Sequence, residues 1–147
     1  RREPMSIKTI CALMMLVTAL PAAAEESRQL VKFPDMMREH MLGNMRDHLL
    51  ALETITRQLA NHQYEEAAAV AESRLGMSAT QAHGAAHMAP FMPPGMATIG
   101  TEMHRAASRF AIAAQNAAID GGLSEAFSAL SGVMQQCVAC HSGYRVH

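Results

Sequence analysis

From Pro34 onward, Met37, Met41, Met45, Leu49, Leu52, Ile55 and Leu59 recur every three or four positions, the repeat of a helix buried along one side. Pro34 suits a first helical turn and Asp35 favours its positive end, so the pattern predicts a helix from about residue 34 to about 61. A second helix is expected over residues 64–75, with Glu65 and Glu66 in its first turn and Gly76 as its stop. So short a link makes the two antiparallel neighbours. Residues 77–96, "MSATQAHGAAHMAPFMPPGM", hold three prolines and two glycines, which break any long helix. Periodicity resumes near Met96 and runs through Ile99, Met103, Ala106, Phe110, Ala113 and Ala117 to Gly121 and Gly122. Ser124 is the expected N-cap of a last helix whose inward stripe is Phe127, Leu130, Met134, Cys137 and His141. With no strand-like alternation, internal repeat or long charge run, the expected fold is all-α, an antiparallel four-helix bundle.

The start of the chain follows another pattern. A short basic lead at Lys8, an apolar run from Ile10 to Leu20 and the small residues Pro21, Ala22, Ala23 and Ala24 precede Glu25 and Glu26. This predicts upstream residues and a secretory signal peptide over 1–24, cleaved after Ala24, with an exported, periplasmic domain over 25–147. A bilayer needs roughly 20 apolar residues, so the run is too short to serve as a stable membrane anchor. The whole chain carries a formal net charge of −1. Cleavage would remove Arg1, Arg2 and Lys8 against Glu3 alone, leaving a more acidic domain and arguing against a nucleic-acid partner. It would also remove Cys11, leaving Cys137 and Cys140 as the only thiols.

These two cysteines lie in "CVACH", residues 137–141. Three residues apart on one helix, they cannot staple distant parts of the chain. A thioredoxin-like redox pair needs a helix N-terminus and a β-α-β surround, and neither is present in the pattern. A structural zinc site wants four ligands, yet there is no second cysteine pair, and His141 directly after Cys140 is awkward as a further ligand to one ion. C-x-x-C-H is also the signature of covalent haem attachment. On a helix Cys137 and His141 stack one turn apart with Cys140 beside them. Two thioethers can then fix a porphyrin edge while the imidazole meets the iron.

An export signal, four helices and C-x-x-C-H near the C-terminus, followed by an aromatic-basic pair as in "CHSGYR", resemble the cytochrome c prime family, the class II c-type cytochromes. The resemblance spans essentially all of residues 25–147. It implies one haem c per chain, covalently held by Cys137 and Cys140, with His141 as proximal iron ligand and Arg38 near a haem propionate. In that family the first helix crosses the distal haem face. A sulfur ligand there gives a low-spin electron carrier, whereas an apolar residue leaves iron open to small gases. Counting three turns from the helix-opening proline lands on Met45; Met41, one turn earlier, is the second choice. Against this, buried methionine is usually soft core filling, although thioether ligands do partner His-ligated haem. His40 and His48 fall between the stripe and the solvent face and are weaker candidates. Phe110, Phe127 and Leu130 read as core or haem-wall residues, and Tyr144 as either a haem-edge or a surface residue.

His83, His87, Met88, Met92, Met96, Met103 and His104 form a second group. Thioether and imidazole suit copper, so a Met/His-rich periplasmic copper-binding protein is one competing reading; the blander one is a Pro-bent loop packed by methionine. Arg105 and Arg109 read as a solvated face. The sequence thus predicts a periplasmic c-type cytochrome moving single electrons between periplasmic redox partner proteins. A five-coordinate NO/CO-binding cytochrome and the copper protein are the alternatives. No acid-base or nucleophile constellation suggests an enzyme, and a homodimer is left open.

Overall fold

The computed structural model describes residues 26–146; the expected signal peptide, its cleavage point, Glu25 and His147 lie outside them. The described chain is mostly helical. In order it comprises β1 (Gln29–Leu30), α1 (Asp35–Ala60), α2 (Tyr64–Arg74), α3 (Ala85–Met88), α4 (Pro94–Asp120), α5 (Leu123–Gly143) and β2 (Tyr144–Arg145), with 3-10 turns at Met77–Ala79 and Ala89–Phe91. The all-α class is as expected. None of its helices is long and apolar enough to cross a membrane.

Pro34 sets the entry to α1, and Asp35 lies in its first turn. The three-residue link 61–63 turns the chain into α2, whose first turn carries Glu65 and Glu66 and whose last carries Arg74. Pro94 occupies the first turn of α4, where its missing N–H costs nothing. Gly122, not Ser124, stands at the N-cap of α5; Ser124 lies inside the first turn. Two short strands were not anticipated. β1 pairs in parallel with β2, Gln29 opposite Tyr144 and Leu30 opposite Arg145, and the Val31 N–H donates to the Arg145 carbonyl at 2.9 Å. At two residues each they were too short to leave a period-2 signal. They fasten the start of the described chain beside the end of α5.

Close packing runs from α1 to α2, from α2 to α4 and from α4 to α5, while α1 and α5 approach each other only marginally. The main core joins the second half of α1 to α2, α4 and the first half of α5, around Ile55, Leu59, Leu75, Phe110 and Val133. Full burial of Phe110 contributes roughly 2–3 kcal/mol. Much of this core is alanine, including Ala51, Ala67, Ala71, Ala107, Ala114 and Ala126, and small side chains let helix axes come close.

That composition explains where the expected faces shift. Leu49 is 71% exposed, and Ala51 faces the core in its place. In α5 the inward line runs through Ala126, Leu130, Val133, Cys137 and Cys140, spaced four, three, four and three; the first three are buried and both cysteines half-buried. Phe127 and Met134, expected on the inward stripe, are 45% and 43% exposed, and His141 is exposed as well. A stripe drawn through the large side chains missed the Ala126 contact and settled one residue to the side.

A second, smaller cluster is built by Val31, Phe33, Met41, Met88 and Met96, with Met37, Met45, Met92, Cys140, Tyr144 and Val146 packed against it. It joins the start of α1, the bent middle segment and the end of α5.

Candidate functional site

The C-x-x-C-H residues sit in the last two turns of α5. Both cysteines are free thiols, and Cys137 Sγ lies 3.7 Å from the Val133 carbonyl one turn back. Burial pushes both thiols above their ordinary pKa, and for Cys140 the neighbouring Cys137 adds to the rise. Thiol–disulfide chemistry of the thioredoxin kind needs a depressed pKa; these remain protonated thiols at neutral pH. Cys140 touches the methionine cluster. Tyr144, three residues after His141, is half-buried against the same cluster, and its hydroxyl occupies the space that a Cβ on Gly95 would take. It is therefore a packing residue at the start of α4.

His141 lies off the inward line, on a flank of α5 with Phe127, Met134 and Val138, the last of which is 66% exposed. A run of three apolar side chains leading to an exposed imidazole is unusual for a solvated helix face.

Helix α1 has two flanks of opposite character. On one, His40, Asn44, Asp47 and His48 meet α2 and the middle segment. Arg74 forms a bidentate ion pair with Asp47, which holds that carboxyl below its usual range. His40 Nε2 and Asn44 Nδ2 both donate to the His83 carbonyl at 3.0 Å. Gly84 follows with φ +65°, and a Cβ there would come within 3.1 Å of His40 Nε2, so both conformation and space require glycine. The opposite flank carries Arg38, Leu42, Met45 and Leu49, spaced four, three and four. Arg38 pairs with Glu39 at 3.2 Å. Met41 is buried inside the methionine cluster, whereas Met45 is half-buried between that cluster and this flank.

The residues considered together for copper divide between several places, with Met92 packed beside Met88 and Met96. Met88 and Met96 join the methionine cluster, Met103 packs in the main core, and His87 is exposed. His83 and His104 are buried instead beside His48. His48 had been expected between the stripe and the solvent. It lies seven residues from both Met41 and Ile55, two residues buried in α1, and that spacing was the signal for its inward place. His104 had a similar one, since Ala107, Ala111 and Ala114 continue its line at three, four and three.

No family model, curated protein or solved structure matches this chain.

The histidine cluster carries a pH dependence. Burial, then the neighbouring His83 and His104, pushes His48 down to about 4 from 6.5, against the opposing pull of Asp47, while Arg74 adds to the fall. His83 is shifted in the same direction, mainly by burial, with His104 and His40 assisting and Asp47 opposing. The unfolded chain thus takes up a proton near pH 6.5 that folded His48 refuses until about pH 4. Stability is complete above 6.5 and is lost as pH falls through that window, by roughly 3 kcal/mol from His48. In chelator-treated buffer, the urea midpoint should drop between pH 7.5 and 4.5, and His48→Gln should flatten the drop. A slope unchanged by that substitution would refute the assignment.

Proposed function

We propose that the protein is a c-type cytochrome that carries single electrons, its four longer helices forming a bundle around one covalently attached haem c. One observation carries the reading: α1 and α5 pack little against each other, and both keep large apolar side chains exposed, Leu49 on α1 and Phe127, Met134 and Val138 on α5, with Leu42 and Met45 half-buried beside Leu49. A flat apolar group with a metal at its centre suits them. The adjoining donors also suit haem: two free thiols three residues apart, an imidazole on the next residue, and a thioether on the opposite helix.

In this reading Cys137 and Cys140 hold the porphyrin edge through thioether bonds, formed when each S–H adds across a vinyl double bond. His141 is the proximal ligand and Met45 the distal one, with Met41 as second choice. Arg38, on the same flank as Met45, is placed to neutralise a propionate. Bound haem supplies a reversible one-electron couple at iron. The chain's part is to keep water from the iron with Leu49 and Phe127, to set the ligand field with imidazole and thioether, and to leave an edge near Val138 open for a transient redox partner. Export to the periplasm belongs to the same reading, since haem c and a residue 1–24 leader would occur together.

Expression with a cytochrome c maturation system, followed by visible spectra of both oxidation states with and without carbon monoxide, tests this. A low-spin spectrum indifferent to the gas is expected. A high-spin spectrum that shifts with carbon monoxide would replace electron transfer by gas binding, and a haem-free product would overturn the proposal.

A further inference from the structure

Three imidazoles from three separate parts of the chain meet on the α2-facing side of α1. His48 comes from α1, His83 from the middle segment and His104 from α4; His83 and His104 are buried, and His48 is partly buried. His48 Nε2 and His83 Nδ1 stand 3.5 Å apart. For a hydrogen bond that is the outer limit. For two nitrogens sharing a tetrahedral ion, each at about 2.0–2.1 Å, the required separation is about 3.4 Å. Ring centres tell the same story: two imidazoles on one such ion lie about 5 Å apart, and the observed separations are 4.8 Å for His48–His83 and 5.3 Å for His83–His104.

The third ring has one nitrogen fixed and the other free for a ligand. His104 Nδ1–H donates to the Leu75 carbonyl at 2.7 Å, which places the lone pair on Nε2. A ring N–H tied to a backbone carbonyl is the usual outer support of a metal-bound histidine. Among the described residues no three such side chains already converge as a complete site. The shortfall is on the His48–His104 side, where the ring centres are 6.4 Å apart, about an ångström wider than a shared ion requires. The nearest carboxylate, Asp47, is occupied by Arg74.

We propose that His48, His83 and His104 form a binding site for a borderline divalent cation, zinc(II) foremost, separate from the haem and its ligands. Imidazole nitrogens without thiolate select such an ion over calcium or magnesium. Binding draws His104 toward His48 and pins the middle segment to both α1 and α4, and with it the loop that bears Met88 and Met92.

The test is calorimetric titration of the full, haem-loaded chain with zinc chloride, alongside zinc-edge X-ray absorption. One zinc per chain is expected, in a nitrogen and oxygen shell with imidazole outer scattering. His48→Gln and His83→Gln should each weaken binding by about a hundredfold or more, while His87→Gln, at an exposed position, leaves it unchanged. His104→Gln is read only if circular dichroism shows native helicity; His48→Gln, at a less buried site, keeps the test decisive otherwise. Cys137→Ala/Cys140→Ala should retain the zinc whether or not haem is attached, so this site and the haem proposal stand or fall separately. Absence of stoichiometric binding, sulfur in the metal shell, or affinity indifferent to His48→Gln would each overturn it.

Discussion

Exchange of both Cys137 and Cys140 for alanine is expected to abolish covalent haem attachment completely. After denaturation in acidified organic solvent, all haem should leave the polypeptide, whereas the unaltered protein should keep a full equivalent. The reasoning rests on α5. Its inward line brings Cys140 to the edge of the methionine cluster and Cys137 three residues before it, both half-buried, so one planar group can bridge them without unwinding the helix. Burial also raises both thiols above their ordinary pKa, which disfavours a thiolate metal site. Single substitutions should each leave one thioether and therefore retained haem. Covalent retention in the double variant would mean that attachment lies elsewhere and that the motif has been misread.

The same helix marks the limit of what was legible in the sequence. Large apolar residues at three- and four-residue spacing placed α1 and α4 within a residue or two, because Met41, Ile55, Leu59 and Phe110 are buried as their periodicity requires; α2 was placed by Glu65 and Glu66 at its start and Gly76 after its end. The face of α5 was harder. Ala126 packs against an alanine-rich partner helix, and a small residue carries almost no hydrophobic signal even when it makes the contact. Reading the stripe through Phe127 and Met134 was thus a reasonable weighting of side-chain size that the packing of α4 overrode. The C-x-x-C-H spacing was legible at once, since it needs only local geometry. The histidine cluster was not, because it joins residues of α1, the middle segment and α4 that only tertiary structure brings together. His48 and His104 each had a readable sign, the first in its place between Met41 and Ile55 and the second in its line with Ala107, Ala111 and Ala114, but neither pointed to the other or to His83.

The shifted α5 face also bears on the haem reading. Phe127, Met134 and Val138 share one exposed flank of α5, with His141 beside them. Their exposure is costly for a finished core. Keeping these three apolar side chains partly in water forgoes some of the roughly 1.5–3 kcal/mol that full burial of each would contribute. In the haem proposal, the group attached at Cys137 and Cys140 would cover them.

Met45→Ala is expected to convert the haem iron from low-spin to high-spin throughout the population and to make the reduced protein bind carbon monoxide. Of the two candidate sulfurs, Met41 is buried inside the methionine cluster among Phe33, Met88 and Met96, and its removal chiefly opens a cavity, costing about 2 kcal/mol or more of stability. Met45 is half-buried on the flank it shares with Leu42 and Leu49, one turn further along α1. Its side chain can leave the cluster for that flank without emptying a core position. Loss of the thioether should also lower the reduction potential, since His/Met ligation favours the ferrous state. Met41→Ala should therefore lower the unfolding midpoint with the spin state kept, and Met45→Ala should do the reverse. If the two phenotypes exchange, Met41 is the distal ligand. If neither substitution changes a low-spin spectrum, the sixth ligand is not a methionine of this stripe, and His40 or His48 on the opposite flank becomes the residue to replace.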